Sequence, residues 1–174
     1  AHAVVTEMRG ALIAEGSVAP GSAQVTAEVR SAVKGRSRNA EAYRLHLQGS
    51  FFTNRYNEED TTKAIGYFHR AVELDPGYAS AWASLSFCYL TQGVNGWVPV
   101  AEGAERAREA AKRALEVEPD LAAGHWALGS VHMYYDWDWK AAESCVRRAL
   151  QLAPGDSLLA VRAGELMEQR FFYD

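Results

Sequence analysis

The chain has 174 residues, of which 48% are hydrophobic and 23% charged, and this balance excludes wholesale disorder and collagen-like structure. The net charge of −4 argues against a nucleic-acid binder, which needs a basic face. The apolar runs are shorter than the ~18 residues that a membrane-spanning helix requires, so we expect no membrane contact from this segment. Two cysteines cannot form a disulfide framework, so we expect a cytoplasmic protein.

The first 38 residues differ in pattern from the remainder. Val25, Val29 and Val33 are spaced by four and predict a short amphipathic helix, which a polar linker follows. We therefore predict an N-terminal helical segment and linker over residues 1–38, for which the pattern indicates no role. The chain opens at Ala1 without an initiator Met or a cationic-then-apolar leader, so we expect it to be a piece of a longer protein.

The rest of the chain is predicted to be helical from residue 39 onward. Asn39 is suited to cap a helix that begins at Ala40. Helices are predicted near residues 40–54, 60–74, 77–92, 101–117, 121–135, 138–152 and 156–172. No window shows the sustained alternation of a strand, so the fold class is all-α.

An internal repeat runs through this helical part. In each of three segments, a second Ala follows the first by seven residues and a Pro follows five residues later. The three sets are Ala64, Ala71 and Pro76; Ala107, Ala114 and Pro119; and Ala142, Ala149 and Pro154. Seven residues are two helical turns, so both methyl groups lie on one stripe, where a neighbouring helix can approach closely. Each Pro favours the helix end, and the unit is a helix hairpin that stacks on the next one.

These residues resemble the tetratricopeptide repeat (TPR) family over about residues 40–170. The positions that carry the resemblance are Gly49, Phe52, Ala64, Phe68, Ala71, Pro76, Trp82, Leu85, Tyr89, Ala107, Ala114, Pro119, Leu128, Gly129, Ala142, Ala149 and Pro154. The resemblance implies a right-handed superhelical solenoid over residues 39–174, with about three repeats and a partial fourth or capping helix. Pro76 and Pro119 are 43 residues apart, against ~34 in a regular repeat, and we expect the surplus to form a loop over Gln92–Val100.

The third repeat carries a closer resemblance. The stretch from Tyr134 to Glu143 is similar to a Tyr-Asp-Trp-Asp-Trp turn in the TPR regions of bacterial class III adenylate cyclases and winged-helix transcriptional regulators. In such proteins the array follows a catalytic or DNA-binding domain, and neither kind of domain is recognisable in this sequence. We expect Asp136 or Asp138 to cap the next helix, and Trp137 and Trp139 to fill the seam between hairpins. The alternative is that the indoles form a ligand surface.

Candidates for chemistry are few. His125 and His132 are seven residues apart and lack a third ligand, so we expect them to pack in the core rather than bind a metal. Cys88 and Cys145 have no Cys-x-x-Cys partner and are expected to be buried thiols. No Gly-rich phosphate loop or nucleophile elbow occurs. We therefore predict no catalytic residue, no cofactor, no metal and no enzyme in this chain.

Binding is the better prospect, because the first helices of a TPR array line its concave side. The residues that the family pattern places on this groove are Tyr43, His46, Ser50, Asn54, Ser84, Phe87, Trp126, Ser130, Met133 and Arg162. This set is aromatic and nearly neutral, so the expected guest is an apolar or mixed peptide, or another domain of the parent chain. The alternative is that these side chains only pack against each other.

Three functions remain open from the sequence. The first is a non-catalytic TPR interaction or scaffold region of a bacterial signalling protein associated with an adenylate cyclase. The others are a free-standing peptide-binding adaptor and the TPR region of a transcriptional regulator. A homodimer is also plausible, because Phe171, Phe172 and Tyr173 leave apolar surface at the uncapped C-terminal helix.

Overall fold

Helices account for all the regular structure in the computed structural model, which describes residues 35, 37–157, 159–161 and 163–164. The elements are α1 (Ala40–Thr53), α2 (Glu58–Leu74), α3 (Ala79–Val94), α4 (Val100–Val117), α5 (Ala122–Val131), a π-helix (His132–Asp136) and α6 (Trp139–Leu152). The all-α prediction is therefore confirmed for these residues. Residues 34–152 form one compact unit, which the following paragraphs describe. Residues 157, 159–161 and 163–164 belong to a second unit and are helical.

Asparagine caps begin the first two helices. The side-chain oxygen of Asn39 accepts hydrogen bonds from the backbone N–H groups of Glu41 and Ala42, as the sequence predicts. Asn57 accepts from the N–H of Asp60, whose carboxylate accepts in turn from the Asn57 amide. Both helices thus start at a side chain that satisfies otherwise unpaired backbone donors.

The six α-helices form three consecutive hairpins. Helix α1 packs on α2, α3 on α4, and α5 with the π-helix on α6. Each second helix also contacts the first helix of the next hairpin, so α2 packs on α3 and α4 on α5. The first helices contact one another as well, α1 with α3 and α3 with α5. Every hairpin therefore buries its apolar side partly against its neighbour.

The repeated alanines are the points of closest packing. All six of them are fully buried: Ala64, Ala71, Ala107, Ala114, Ala142 and Ala149. Within each hairpin, the first helix carries a small residue where it meets the second helix. A Cβ atom on Gly49 would lie 2.6 Å from the Phe68 ring, and one on Gly129 would lie 3.1 Å from Cβ of Cys145. In the middle hairpin Ser86 takes this place, and its hydroxyl donates to the carbonyl oxygen of Ala107 at 2.8 Å.

The expected inserted loop at Gln92–Val100 is shorter than predicted. Helix α3 continues to Val94 and α4 begins at Val100, so only residues 95–99 are non-helical. The helices can extend because Gly93 and Gly103 face each other, and a Cβ on Gly103 would lie 2.7 Å from the Cα of Gly93. The surplus residues of the middle repeat therefore lengthen the hairpin and bring its two backbones together at the turn.

The structure also corrects the core assignment of the two histidines. Nε2 of His125 donates to the carbonyl oxygen of Pro119 at 2.9 Å, and the ring is only half-buried. Nε1 of Trp82 donates to the carbonyl oxygen of Pro76 at 3.0 Å in the preceding hairpin. The two rings thus make the same contact in consecutive repeats. In each case the ring belongs to the residue six positions after the proline that accepts the hydrogen bond. His132 is half-buried too, with Nδ1 2.9 Å from the Asp136 carboxylate.

The predicted turn after α5 contains a π-helix and a strained residue. The helix predicted over 121–135 changes from α to π geometry at His132, and Trp137 follows in the left-handed region with φ of 55°. Trp137 is 60% exposed, so it does not fill the seam between hairpins as expected, while Trp139 is half-buried with its ring centroid 6.2 Å from that of Trp137. Asp138 caps α6 by accepting from the N–H of Ala141, in agreement with the sequence.

Candidate functional site

The predicted groove residues on α1 and α3 meet at one half-buried polar contact. Nε2 of His46 lies 3.1 Å from Oγ of Ser84, between two first helices. The imidazole also packs at a tilt against the rings of Phe68 and Tyr78, with centroids 5.2 Å and 5.0 Å away. The structure therefore brings His46 and Ser84 together, as their placement on one face of the repeat pattern implies.

Burial determines the ionisation of His46. Desolvation lowers the pKa of its imidazole from 6.5 to about 4, since no carboxylate is placed to stabilise the charged form. The ring is therefore neutral at physiological pH. The Ser84 hydroxyl already donates to the carbonyl oxygen of Ser80 at 3.0 Å, so it receives a hydrogen bond from His46 Nε2.

The serine hydroxyls on this face are engaged by their own helices. Ser50 donates to the carbonyl oxygen of His46, and Ser130 donates to that of Trp126, each at 2.9 Å. These contacts to the residue four positions earlier are the usual local option for serine within a helix. The donors of these two hydroxyls are therefore already engaged within their own helices.

The candidate residues differ in accessibility. Tyr43 and Asn54 are exposed, Phe87 and Trp126 are half-buried, and Ser130 and Met133 are buried within the fold. Arg162 lies outside the residues whose side chains are described. We define the first-helix face as the candidate residues that are exposed or half-buried: Tyr43, His46, Ser50, Asn54, Ser84, Phe87 and Trp126.

Sequence reasoning missed Tyr56, which borders the first-helix face. Its ring is 59% exposed and meets the edge of Phe87 with centroids 6.5 Å apart. Tyr56 lies in the turn between α1 and α2 with φ of 49°, a conformation rarely adopted by an aromatic residue. An aromatic residue among the turn-forming residues around it was the only signal in the sequence.

A second polar cluster lies at the π-helix. The Asp136 carboxylate accepts from the Arg108 guanidinium on α4 and from Nδ1 of His132. All three side chains are partly exposed, so the cluster fastens the π-helix to α4 without a buried charge. Since its carboxylate is already engaged by two donors, the cluster is explained as a structural contact.

Two free thiols lie among the described residues. Burial raises the pKa of the Cys88 thiol to about 12, and partial burial raises that of Cys145. In the part of the chain that the structure describes, no three His, Cys, Asp or Glu side chains are grouped to hold a metal ion. Among the same residues, no helix combines the length and hydropathy needed to cross a lipid bilayer.

Comparison with known proteins gives one informative similarity. The chain matches no protein-family model. It is 32% identical over 89 residues to the Rhizobium meliloti protein named "Putative adenylate cyclase 3". The aligned segment is 51% of this chain but only 15% of that relative.

Proposed function

We propose that residues 39–174 form a TPR array, a right-handed superhelical solenoid with three hairpins and a partial fourth. The recurrence of specific contacts supports this proposal. Trp82 and His125 make the same bond to the carbonyl oxygen of the preceding Pro, and the paired alanines are buried in each hairpin. A repeat that buries its surface against similar neighbours is the physical basis of a solenoid.

The array is a non-catalytic interaction region of a bacterial signalling protein that carries an adenylate cyclase domain elsewhere in the polypeptide. The similarity to a protein named as an adenylate cyclase supports this context, because it is confined to 15% of that much longer chain. The described residues themselves supply surface rather than reactive groups, since the His46 imidazole is neutral and hydrogen-bonded and the buried Cys88 thiol is protonated.

The first-helix face binds an apolar or mixed segment of a protein, most simply from another domain of the same polypeptide. Tyr43, Phe87 and Trp126 offer aromatic surface that is already ordered, so little side-chain entropy is lost on binding. Such partly buried aromatic side chains are typical anchors of protein interfaces. The aromatic character of this face is the observation that carries the binding proposal.

The test uses the parent polypeptide's catalytic domain, identified from the complete gene and expressed separately. We expect calorimetric titration to detect binding of this domain to the chain, and Phe87→Ala with Trp126→Ala to weaken it at least about tenfold, equal to ~1.4 kcal/mol. Leu74→Ala is the matched control, since Leu74 is exposed outside the face. Retained helicity by circular dichroism shows that the variants fold, and unchanged binding by the double variant would remove these residues from the account.

Absence of catalysis is tested separately. The chain incubated with ATP and Mg²⁺ is expected to produce no cyclic AMP, whereas the parent polypeptide produces it. Turnover by the chain alone would overturn the non-catalytic assignment while leaving the measured binding intact.

A further inference from the structure

Helix α3 ends in a turn that is built around Asn95 and Gly96. Asn95 is the C-cap residue, and Gly96 follows it in the left-handed region with φ of 71°. The N–H of Gly96 donates to the carbonyl oxygen of Gly93 at 3.1 Å, and the N–H of Trp97 donates to that of Gln92 at 3.0 Å. These two bonds define a Schellman cap, a common helix end that usually has glycine after the C-cap. We call this turn the α3 cap.

An asparagine that is followed by glycine can lose its side-chain amide without an enzyme. The backbone nitrogen of the glycine gives up its proton to a base and attacks Cγ of the asparagine. The amide nitrogen then takes up a proton and leaves as ammonia, while the new C–N bond closes a cyclic imide. Water opens the ring at either of its two carbonyl carbons and yields aspartate or isoaspartate. Glycine favours this reaction because it has no Cβ atom to hinder closure of the ring.

The end of α1 provides a matched comparison within the same chain. Its C-cap residue is Asn54, with φ of −74° and ψ of −6°, and Asn95 has φ of −86° and ψ of 0°. Both asparagines are exposed. Arg55 follows Asn54, and of the four asparagines in the sequence only Asn95 is followed by glycine. The two sites thus share a backbone conformation and differ in the residue that supplies the attacking nitrogen.

The hydrogen bonds of the α3 cap restrain this reaction in the folded chain. The attacking N–H of Gly96 is held by the carbonyl oxygen of Gly93, and Nδ2 of Asn95 donates to the carbonyl oxygen of Thr91 at 2.8 Å. Both bonds have to break before the nitrogen can approach Cγ. A Cβ atom on Gly96 would meet no atom within 4 Å, so there is space for this rearrangement once the cap opens. Fraying of a helix end costs less free energy than global unfolding.

We propose that Asn95 is a site of spontaneous deamidation and that the reaction proceeds from the opened form of the α3 cap. The product places a carboxylate at the C-terminal end of α3, where the helix dipole disfavours negative charge. This carboxylate also removes the amide donor that binds the carbonyl oxygen of Thr91. Isoaspartate adds a carbon atom to the main chain and so shifts Gly96 out of the cap. Deamidation therefore weakens the tip of the second hairpin, beside the contact between Gly93 and Gly103.

Peptide mapping by mass spectrometry tests the site on the intact folded chain, stored in mildly alkaline buffer, and does not depend on the proposed function. We expect Asn95 to be converted to aspartate and isoaspartate at least about tenfold faster than Asn54. Arg55→Gly is the matched variant, because it supplies a glycine after Asn54, and it should raise the rate of conversion there. Equal rates at Asn95 and Asn54 in the wild type, or an Asn95 that stays unmodified, would overturn the proposal.

The role of the α3 cap is tested by unfolding. Conversion of Asn95 should be at least about tenfold faster in the urea-unfolded chain than in the folded chain at the same pH, because the restraining hydrogen bonds are then absent. Equal rates in the two states would contradict reaction through an opened cap.

Amide hydrogen exchange tests the effect of the product on the fold. We expect Asn95→Asp to speed exchange at Gly96 and Trp97 by about twofold to fivefold, since the carboxylate meets the negative end of the helix dipole. The N–H of Arg55, which donates to the carbonyl oxygen of Phe52 at the end of α1, is the internal reference and should be unaffected. Unchanged exchange at Gly96 and Trp97 would show that deamidation does not weaken the cap.

Discussion

Nε2 of His46 lies 3.1 Å from Oγ of Ser84, a contact that links the first helices of two consecutive hairpins across 38 residues of sequence. Two aromatic rings pack against the imidazole, which is half-buried. The stacking of the first two hairpins is therefore coupled to the protonation state of the His46 side chain.

Stability should fall in mild acid because of His46. The pKa of its imidazole is about 4 in the folded chain against 6.5 in the unfolded one, so the unfolded state binds the proton more tightly. The contribution of His46 to the free energy of unfolding is complete above pH 6.5 and is lost as the pH falls towards 4. Between pH 7.5 and pH 5, we expect the free energy of unfolding to fall by about 2 kcal/mol more in the wild type than in His46→Gln.

Urea unfolding of the wild type and of His46→Gln at the two pH values measures this difference in free energy. The other titrating groups are the same in both chains, so their contributions cancel. Ser84→Ala is the control, because it retains the imidazole and its burial. It should lower stability by about 1 kcal/mol at both pH values and keep the wild-type pH dependence. Equal pH dependence in His46→Gln and the wild type would contradict the assignment to His46.

The contact between Gly93 and Gly103 should not tolerate a methyl group. A Cβ on Gly103 would lie 2.7 Å from the Cα of Gly93, and because that atom is backbone the two helices must separate. We expect Gly103→Ala to lower the free energy of unfolding by about 1–3 kcal/mol. Gly66→Ala is the matched control on α2, where a Cβ meets no atom within 4 Å. That change should raise stability by about 0.5–1 kcal/mol, since Ala restricts the unfolded chain more than Gly. Denaturant titration of both variants shows whether each change lowers or raises the free energy of unfolding.

The left-handed conformation of Trp137 should make Gly the better replacement there. Its φ of 55° costs any residue with a Cβ atom, and both Trp137→Gly and Trp137→Ala lose the ring. The difference in stability between the two variants therefore reports the cost of the left-handed backbone conformation at position 137. We expect Trp137→Gly to be more stable than Trp137→Ala by about 1 kcal/mol, opposite in sign to the change at Gly66. Thermal denaturation of the pair would refute the left-handed assignment if Ala proved the more stable residue.

The two thiols should react at different rates with a disulfide reagent. Burial raises the pKa of Cys88 to about 12, so it has almost no thiolate at pH 8 and no access for the reagent, whereas Cys145 is only half-buried. We expect Cys145 to be labelled first and Cys88 only after unfolding. Labelling of Cys88→Ala and of Cys145→Ala shows which thiol reacts fast and which reacts slowly. Fast reaction in Cys145→Ala would show that Cys88 is accessible.

Much of the helical layout was predictable, because caps and helix ends are local. Asn39 begins α1 as expected, and every boundary from α1 to α6 lies within a few residues of the prediction. The prediction failed where two distant segments meet. The loop after Gln92 is shorter because Gly93 approaches Gly103, and no local pattern records that approach.

The candidate site was less predictable than the helices. The repeat pattern placed His46 and Ser84 on one face, and they touch. It could not indicate that Met133 is covered, that Trp137 projects outward or that Tyr56 borders Phe87. Each of these depends on the path of a turn, and a turn follows no helical period.

The sequence by itself determined that this protein is a series of helix hairpins, because a seven-residue alanine spacing fixes the apolar stripe of a helix and a proline ends it. Only the tertiary structure decided which stripes are covered. Phe51 and Cys88 occupy equivalent positions, yet one is exposed and the other buried, since α3 has a hairpin packed before it and α1 has none among the described residues. Periodicity gives the direction in which a side chain points, whereas its burial depends on the neighbour that it meets there.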